Sequence, residues 1–265
     1  DVEDEIDIED LIEEETCVFT ISNQGYIKRM PVDTYRTQSR GGRGVNAQNL
    51  KEEDFVKSLN VASTHDHMLF FTDKGRVHHR KGYQIPEAGR TARGTAMVNV
   101  LPLLPEESVT AMVITREFYE HEYLVMVTRK GTVKRIPFIA LNTNRKTGIR
   151  AITLDEDDQL VNVMRTEGDD NILITSAHGM AICFNENDVR PMGRDASGVR
   201  GILLGADDYV VGAEKAEEGK TLLTVTENGY GKRTELSEYL RTGPNGEKIA
   251  QGRGGKGLKN YNITP

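Results

Sequence analysis

Residues of this chain whose types and spacing could act on another molecule fall into two sets, and the titratable set is the poorer. His65-Asp66-His67 places three metal-ligand types in a row, but Thr64 and a strand start beside them make a polar turn the simpler reading. His78 and His79 are adjacent on a predicted strand, where neighbouring side chains point to opposite faces, so one ion cannot easily take both. The acidic run Asp155 to Asp158 lacks the glycine and final glutamate of a calcium loop and reads as a solvated connector. No elbow motif supports a Ser-His-Asp arrangement. Cys17 and Cys183 lie far apart, outside any metal or redox spacing, and read as strand interior residues in a cytoplasmic setting. The expectation is a chain with no catalytic residue, no metal and no cofactor of its own.

The basic set is richer. Lys28-Arg29, Lys134-Arg135 and Lys232-Arg233 recur as pairs, with Arg76 and Arg80 in the second unit. Loops rich in Arg, Lys and Gly add Arg90, Arg93, Arg145, Lys146 and Arg150. Two loops are denser still: Gln38-Ser39-Arg40-Gly41-Gly42-Arg43-Gly44 and Gln251-Gly252-Arg253-Gly254-Gly255-Lys256-Gly257. Clustered glycines let main-chain amides approach a phosphate closely, and Arg supplies a two-pronged donor. The net charge of −7 argues against such a partner only until it is divided: residues 1–15 hold ten acids and no base, leaving 34 bases against 31 acids in the rest. The remaining acids concentrate in connectors such as Glu52-Glu53-Asp54, Glu106-Glu107, Asp155 to Asp158 and Asp207-Asp208. A single Lys-Arg pair would be read as protection of an edge strand. Recurrence at one position in three units, with the acids kept elsewhere, points instead to a surface for a phosphate backbone.

The elements that must position these residues repeat. An apolar stretch, a polar turn with one glycine and a second stretch occur five times, at Gly25, Gly75, Gly131, Gly179 and Gly229, spaced 50, 56, 48 and 50 residues apart. Each reads as a β-hairpin whose turn glycine supplies a positive φ. A second glycine follows in the first four units, at Gly44, Gly94, Gly148 and Gly198. After each acidic connector comes a further strand candidate: Val56 to Ala62, Val109 to Thr115, Gln159 to Arg165 and Tyr209 to Ala213. With the segment after the second glycine this makes four strands per unit, as in a propeller blade. A β-sandwich needs no such repeat, and a solenoid would want a shorter one. In a radial fold the repeated bases come to one rim and form a curved stripe. No apolar run reaches the roughly 18 residues of a membrane helix, and no secretory leader is visible, so neither membrane nor export is expected.

The two dense loops resemble the Q-R-R-G-G-K-G heptad of the C-terminal domain of the DNA gyrase A protein, matching it at five and six of seven positions. Gly25-Tyr26-Ile27-Lys28-Arg29, Thr64-His65-Asp66-His67, Arg190-Pro191-Met192-Gly193-Arg194 and Asn228-Gly229-Tyr230-Gly231-Lys232-Arg233 are similar to that family too. The resemblance implies an all-β fold, a β-pinwheel whose blades exchange strands, occupying residues 16–265 behind an acidic tether at 1–15. It also implies that double-stranded DNA wraps a basic rim without being read for sequence, in support of negative supercoiling. The essential loop residues then become Gln38, Arg40, Gly41, Gly42, Arg43 and Gly44. The implied partners are DNA, the remainder of the gyrase A protein, which this domain would serve, and the gyrase B protein, together an A2B2 assembly in the cytoplasm at the nucleoid. ATP and magnesium would act elsewhere in that holoenzyme. The family usually has six blades where five units are counted: either a sixth is cut off after Pro265, the favoured reading, or residues near Ile6 and Ile8 help close a smaller ring. The alternatives are the corresponding domain of topoisomerase IV, which has fewer blades and degenerate heptads, and a propeller that binds proteins through apolar patches. The acidic segment 1–15 is read first as a tether, second as a competitor for the basic rim.

Overall fold

The computed structural model describes residues 7–39, 54–145, 147–217, 220–225 and 231–259. Among them no helix is long and apolar enough to cross a membrane. In chain order the strands are β1 (Thr16–Ser22), β2 (Tyr26–Pro31), β3 (Val56–Ser63), β4 (His67–Thr72), β5 (Arg76–Lys81), β6 (Thr95–Ala96) and β7 (Val109–Thr115). There follow β8 (Tyr123–Thr128), β9 (Thr132–Pro137), β10 (Ile149–Arg150), β11 (Leu160–Thr166), β12 (Asn171–Ser176), β13 (Met180–Asn185) and β14 (Val199–Arg200). The last are β15 (Val210–Ala216), β16 (Thr221–Val225), β17 (Gly231–Glu235), β18 (Arg241–Thr242), β19 (Lys248–Ile249) and β20 (Leu258–Lys259).

These strands form four four-stranded sheets, ordered β3-β1-β2-β6, β10-β5-β4-β7, β11-β8-β9-β14 and β15-β12-β13-β20, and the two-stranded pairs β16-β17 and β18-β19. All five hairpins expected from the repeat are present, as are the four connector strands β3, β7, β11 and β15. The fourth strand of each complete sheet is borrowed: β6, β10, β14 and β20 follow the second glycine of one unit and pair with the hairpin of the unit before it. This exchange is the feature that distinguishes a pinwheel from a propeller of closed blades.

Close approach explains the second glycine. At Gly94, φ is +94° and an added Cβ would lie 2.6 Å from the carbonyl oxygen of Ile27; at Gly198, φ is +96° and the oxygen is that of Val133, at 2.5 Å. In the fifth unit the same place is taken by Gly257, pressed on Ala181, because β18 and β19 are inserted before it.

The chain divides into two compact units, residues 1–70, 78–117 and 145–148 in one and residues 71–77, 118–144 and 149–265 in the other. The core of the first contains Phe19, Ile27, Met68, Phe70, Ile85 and Leu101, and that of the second Val125, Val133, Ile172, Ile174, Phe184 and Ile202. Inner strands such as β8 are buried on both faces, so their sequences are continuously apolar and do not alternate. Cys17 and Cys183 are free and buried in strands, and burial pushes the Cys183 thiol up to about 11.

The connector acids are not merely solvated. Asp54, Asp158 and Asp208 each accept the amide proton of the residue preceding a hairpin glycine, at Gln24, Lys130 and His178. Asp158 is buried in doing so, which corrects the sequence reading of its run.

Candidate nucleic-acid interface

In the first unit, pairing of β6 with β2 brings the loop 89–93 against the start of β2. Between them lies an open groove of about 1070 Å³ whose lining includes Gln24, Tyr26, Lys28, Arg90, Thr91 and Arg93. Arg90 and Arg93 are exposed. The Arg93 guanidinium stacks on the Tyr26 ring, 4.1 Å from its centroid, and donates to Gln24 Oε1. Stacking holds a guanidinium in place while leaving the edge of its planar fork able to donate.

Lys28 is different. Its ammonium donates to the carbonyl oxygens of Gly89, Arg90 and Ala92 at 3.0, 2.9 and 2.8 Å, and burial lowers its pKa. Arg29 donates through Nε to Ile85 O at 2.7 Å and lies 3.6 Å from Glu87. Arg80 donates to His79 O and Val100 O, with its pKa lowered by burial.

In the second unit Arg150 stands directly opposite Arg76 across the β10–β5 pair. Arg150 is exposed and only loosely opposed by Asp195 at 3.9 Å. Two cations facing each other in this register raise the local positive charge on that side of the pair. Arg145 is exposed in the first unit, and Lys146 lies outside the described residues.

Lys134 and Arg135 do not belong to a surface. Lys134 is fully buried, donates to Ala151 O and Arg194 O at 2.6 and 2.7 Å, and is pushed down to about 8 by burial. Arg135 lies 3.9 Å over the Tyr123 ring and 3.2 Å from Glu186 Oε1, whose carboxyl burial raises. The expectation that this pair lines a rim is therefore corrected: a strand enclosed on both faces has no outward side for its charges. Lys232 and Arg233, on β17, are exposed.

Of the first heptad loop, Gln38 and Ser39 end the helix α1 (Val32–Ser39), while Arg40, Gly41, Gly42, Arg43 and Gly44 fall outside the described residues. The second heptad is a clasp. Gln251 bonds Cys183 O through its amide and Tyr239 O through its side chain; Arg253 donates to Asp188 O at 3.0 Å and Arg200 O at 2.6 Å; and Gly254 N donates to Gly201 O. Lys256 remains exposed. The sequence reading missed Arg200, exposed on the exchanged strand β14 at the place Arg150 occupies on β10. Its two-residue offset from Gly198, the same as that of Arg150 from Gly148, was the available signal. Among the described residues no group of three His, Cys, Asp or Glu side chains could hold a metal ion. The histidines have other tasks: His67 and His79 bond each other at 2.7 Å, and His78 accepts the Gly148 amide proton.

Comparison with known proteins follows the same repeat. A family model described as the DNA gyrase C-terminal domain, β-propeller, matches residues 18–63, 66–116, 122–167, 170–217 and 220–251, one segment for each hairpin. The DNA gyrase A protein of Clostridium acetobutylicum is 50% identical over 262 residues, covering 99% of this chain and 30% of that protein. Its namesake from Staphylococcus epidermidis is 46% identical over 264 residues, covering 98% and 29%. The chain thus spans about 30% of the length of the curated relatives it matches. A solved DNA gyrase A C-terminal domain superposes with TM-score 0.67 at 25% identity, covering 92% of this chain and 76% of that one. A C-terminal domain of DNA topoisomerase IV superposes with TM-score 0.77 at 24% identity, covering 94% and 73%, and shows the fold alone.

Proposed function

The chain belongs to the DNA gyrase C-terminal β-propeller family, and from that premise we propose that it binds double-stranded DNA without reading its sequence and bends it, in support of negative supercoiling by gyrase. The observation that carries this reading is the groove of Arg90 and Arg93 beside Lys28, together with the in-register Arg76 and Arg150. Both gather basic side chains beside an exchanged strand, one at the loop 89–93 and one on the paired strands β5 and β10.

Bending 20 to 30 base pairs through 40 to 90° costs on the order of 1 to 6 kcal/mol, which phosphate contacts spread along an arc can offset. Backbone contacts position the duplex and carry no sequence information, so affinity should vary little with sequence and fall steeply with salt. In this reading the bent duplex is handed to a strand-passage machine made of the rest of the gyrase A protein and the gyrase B protein. Cleavage, metal binding and ATP hydrolysis belong to those parts.

Two measurements test the proposal. The logarithm of the affinity for mixed-sequence duplex should fall linearly with log salt, at about 0.9 per phosphate contacted. Ligation of nicked circular DNA in the presence of the chain should trap a change in linking number, because chiral wrapping fixes writhe where simple binding does not. A flat salt response, or bound circles that close at the relaxed linking number, would refute it.

A further inference from the structure

Three residues after each of the first four hairpin glycines stands a side chain on the second hairpin strand: Lys28, His78, Lys134 and Ile182. The loop just before the borrowed strand packs over this position, and each of the four side chains meets it differently. Lys28 donates to three carbonyl oxygens of loop 89–92, which uses every proton an ammonium has. Lys134 donates to Arg194 O and Ala151 O from a fully buried position. His78 reverses the polarity, accepting from the amide of Gly148 at 3.1 Å. Ile182 can do neither, and there the loop's own Arg253 makes the bonds, to Asp188 O and Arg200 O.

We propose that Lys28 is a positioning residue: its ammonium group gathers the carbonyls of the loop at 89–93 inward, so that Arg90 and Arg93 face phosphate, and it does not touch DNA itself, while Lys134 anchors the loop at 193–197 through Arg194 O. This rests on the phosphate-binding reading above. Converging carbonyl oxygens repel one another, and turned outward they would place partial negative charge beside the anion groove. A cation beneath the loop removes both penalties. A lysine with no proton left to donate contributes to DNA affinity only through the residues it orders.

Direct contact and positioning separate by epistasis. In the full chain, duplex affinity is measured against salt for the parent, Lys28→Met, Lys28→Arg, the double variant Arg90→Ala with Arg93→Ala, and the triple variant adding Lys28→Met. Amide exchange is followed over residues 89–96. Positioning predicts that the double variant lowers the salt slope by about 1.8, two phosphates at about 0.9 each. Lys28→Met alone should lower it by more than 0.9 and speed exchange of the loop at least tenfold, and the triple variant should match the double. Lys28→Arg should not rescue, since a planar fork cannot converge on three carbonyls although it serves phosphate well.

The proposal is overturned if Lys28→Met costs about 0.9 in slope with loop exchange unchanged, if its effect adds in full to the double variant, or if Lys28→Arg binds like the parent. A Lys28→Met variant indistinguishable from the parent also overturns it. A parent that binds no DNA would sink the functional reading instead, while loop exchange in Lys28→Met would still decide the clasp.

Discussion

Gly94→Ala and Gly25→Ala form a matched pair that tests whether the exchanged strand depends on close contact between backbones. Both glycines have positive φ, +94° and +85°, so each substitution costs about 1–2 kcal/mol for placing a Cβ in the left-handed region. They differ in what the new atom meets. At Gly25 nothing lies within 4 Å, whereas at Gly94 the Cβ lands 2.6 Å from Ile27 O and 3.1 Å from its carbonyl carbon. Backbone cannot rotate aside as a side-chain tip can, so the strand must move off, at the 1–3 kcal/mol typical of overpacking. Gly25→Ala should therefore cost about 1–2 kcal/mol and Gly94→Ala about 2–5. Because the chain has two compact units, a single melting temperature is a poor readout. Amide exchange should show the extra cost as faster exchange at Thr95 and Met97, with the strand pair β16–β17 unaffected. Displacing β6 also moves Arg93 off Tyr26, so Gly94→Ala should lose duplex affinity that Gly25→Ala keeps. Equal effects of the two substitutions on local exchange would refute the reasoning.

Three further outcomes follow from the charges. Lys134 has a folded-state pKa of about 8, below its unfolded value of 10.5, so its contribution to stability is greatest above pH 10.5 and is lost as pH falls through about 8; the difference in unfolding free energy between the parent and Lys134→Met, from denaturant titrations at each pH, should change by at most ~3 kcal/mol over that window and be flat below it. Arg116 and Ser63 hold the Glu14 carboxyl down at about 2, so the amide of Thr64, bonded to Glu15 O, should stay protected as pH falls through 4.5 and lose protection only near pH 2, or already near pH 4.5 in Arg116→Ala. In the second heptad loop Arg253→Ala should speed amide exchange at Gln251 and Gly254 with little change in salt slope, while Lys256→Ala should lower the slope by about 0.9 and leave exchange alone.

The repeat was legible because it is written in turn glycines, which backbone geometry fixes regardless of tertiary context. Gly25, Gly75, Gly131 and Gly179 all take positive φ, and the hairpins around them follow. Strand exchange was not legible from the residues, since β6, β10, β14 and β20 are two residues long and their partners are set by three-dimensional neighbours. The largest departure concerns the Lys-Arg pairs. Charge count cannot distinguish an ammonium in solvent from one beneath a loop, and the apolar neighbours of Lys134, Val133 on one side and Ile136 just beyond Arg135 on the other, are compatible with a half-exposed strand as well as an enclosed one. What distinguishes the two cases is the loop that covers the strand, and that loop lies about 60 residues away, at Arg194. Arg90 and Arg93 are exposed beside glycines in a polar loop, yet the same surroundings leave Arg253 bonded to Asp188 O and Arg200 O, so composition alone does not tell an outward arginine from a clasp.

The same distinction bears on the acidic N-terminal segment, read either as a tether or as a competitor for DNA. Within the first unit two of its described acids, Glu9 and Glu14, already have cationic partners. Glu9 bonds Lys81, Glu14 bonds Arg116 and Ser63, and His65 lies 3.9 and 4.0 Å from the Glu9 and Glu14 carboxylates while bonding Ile12 O. Thr64 completes the strap by bonding Glu13 O and the amide of Glu15. None of these partners lines the groove of Arg90 and Arg93. Glu9 and Glu14, held by local cations, have little charge left for a second basic surface, and exposed pairs of this kind are weak enough to yield to DNA only where they overlap it. Removing residues 1–10 should therefore leave the salt slope and duplex affinity of the chain within twofold of the parent while freeing Lys81. A several-fold gain in affinity on removal would show that the segment covers the DNA path after all, and that Lys81 or its neighbours belong to that path.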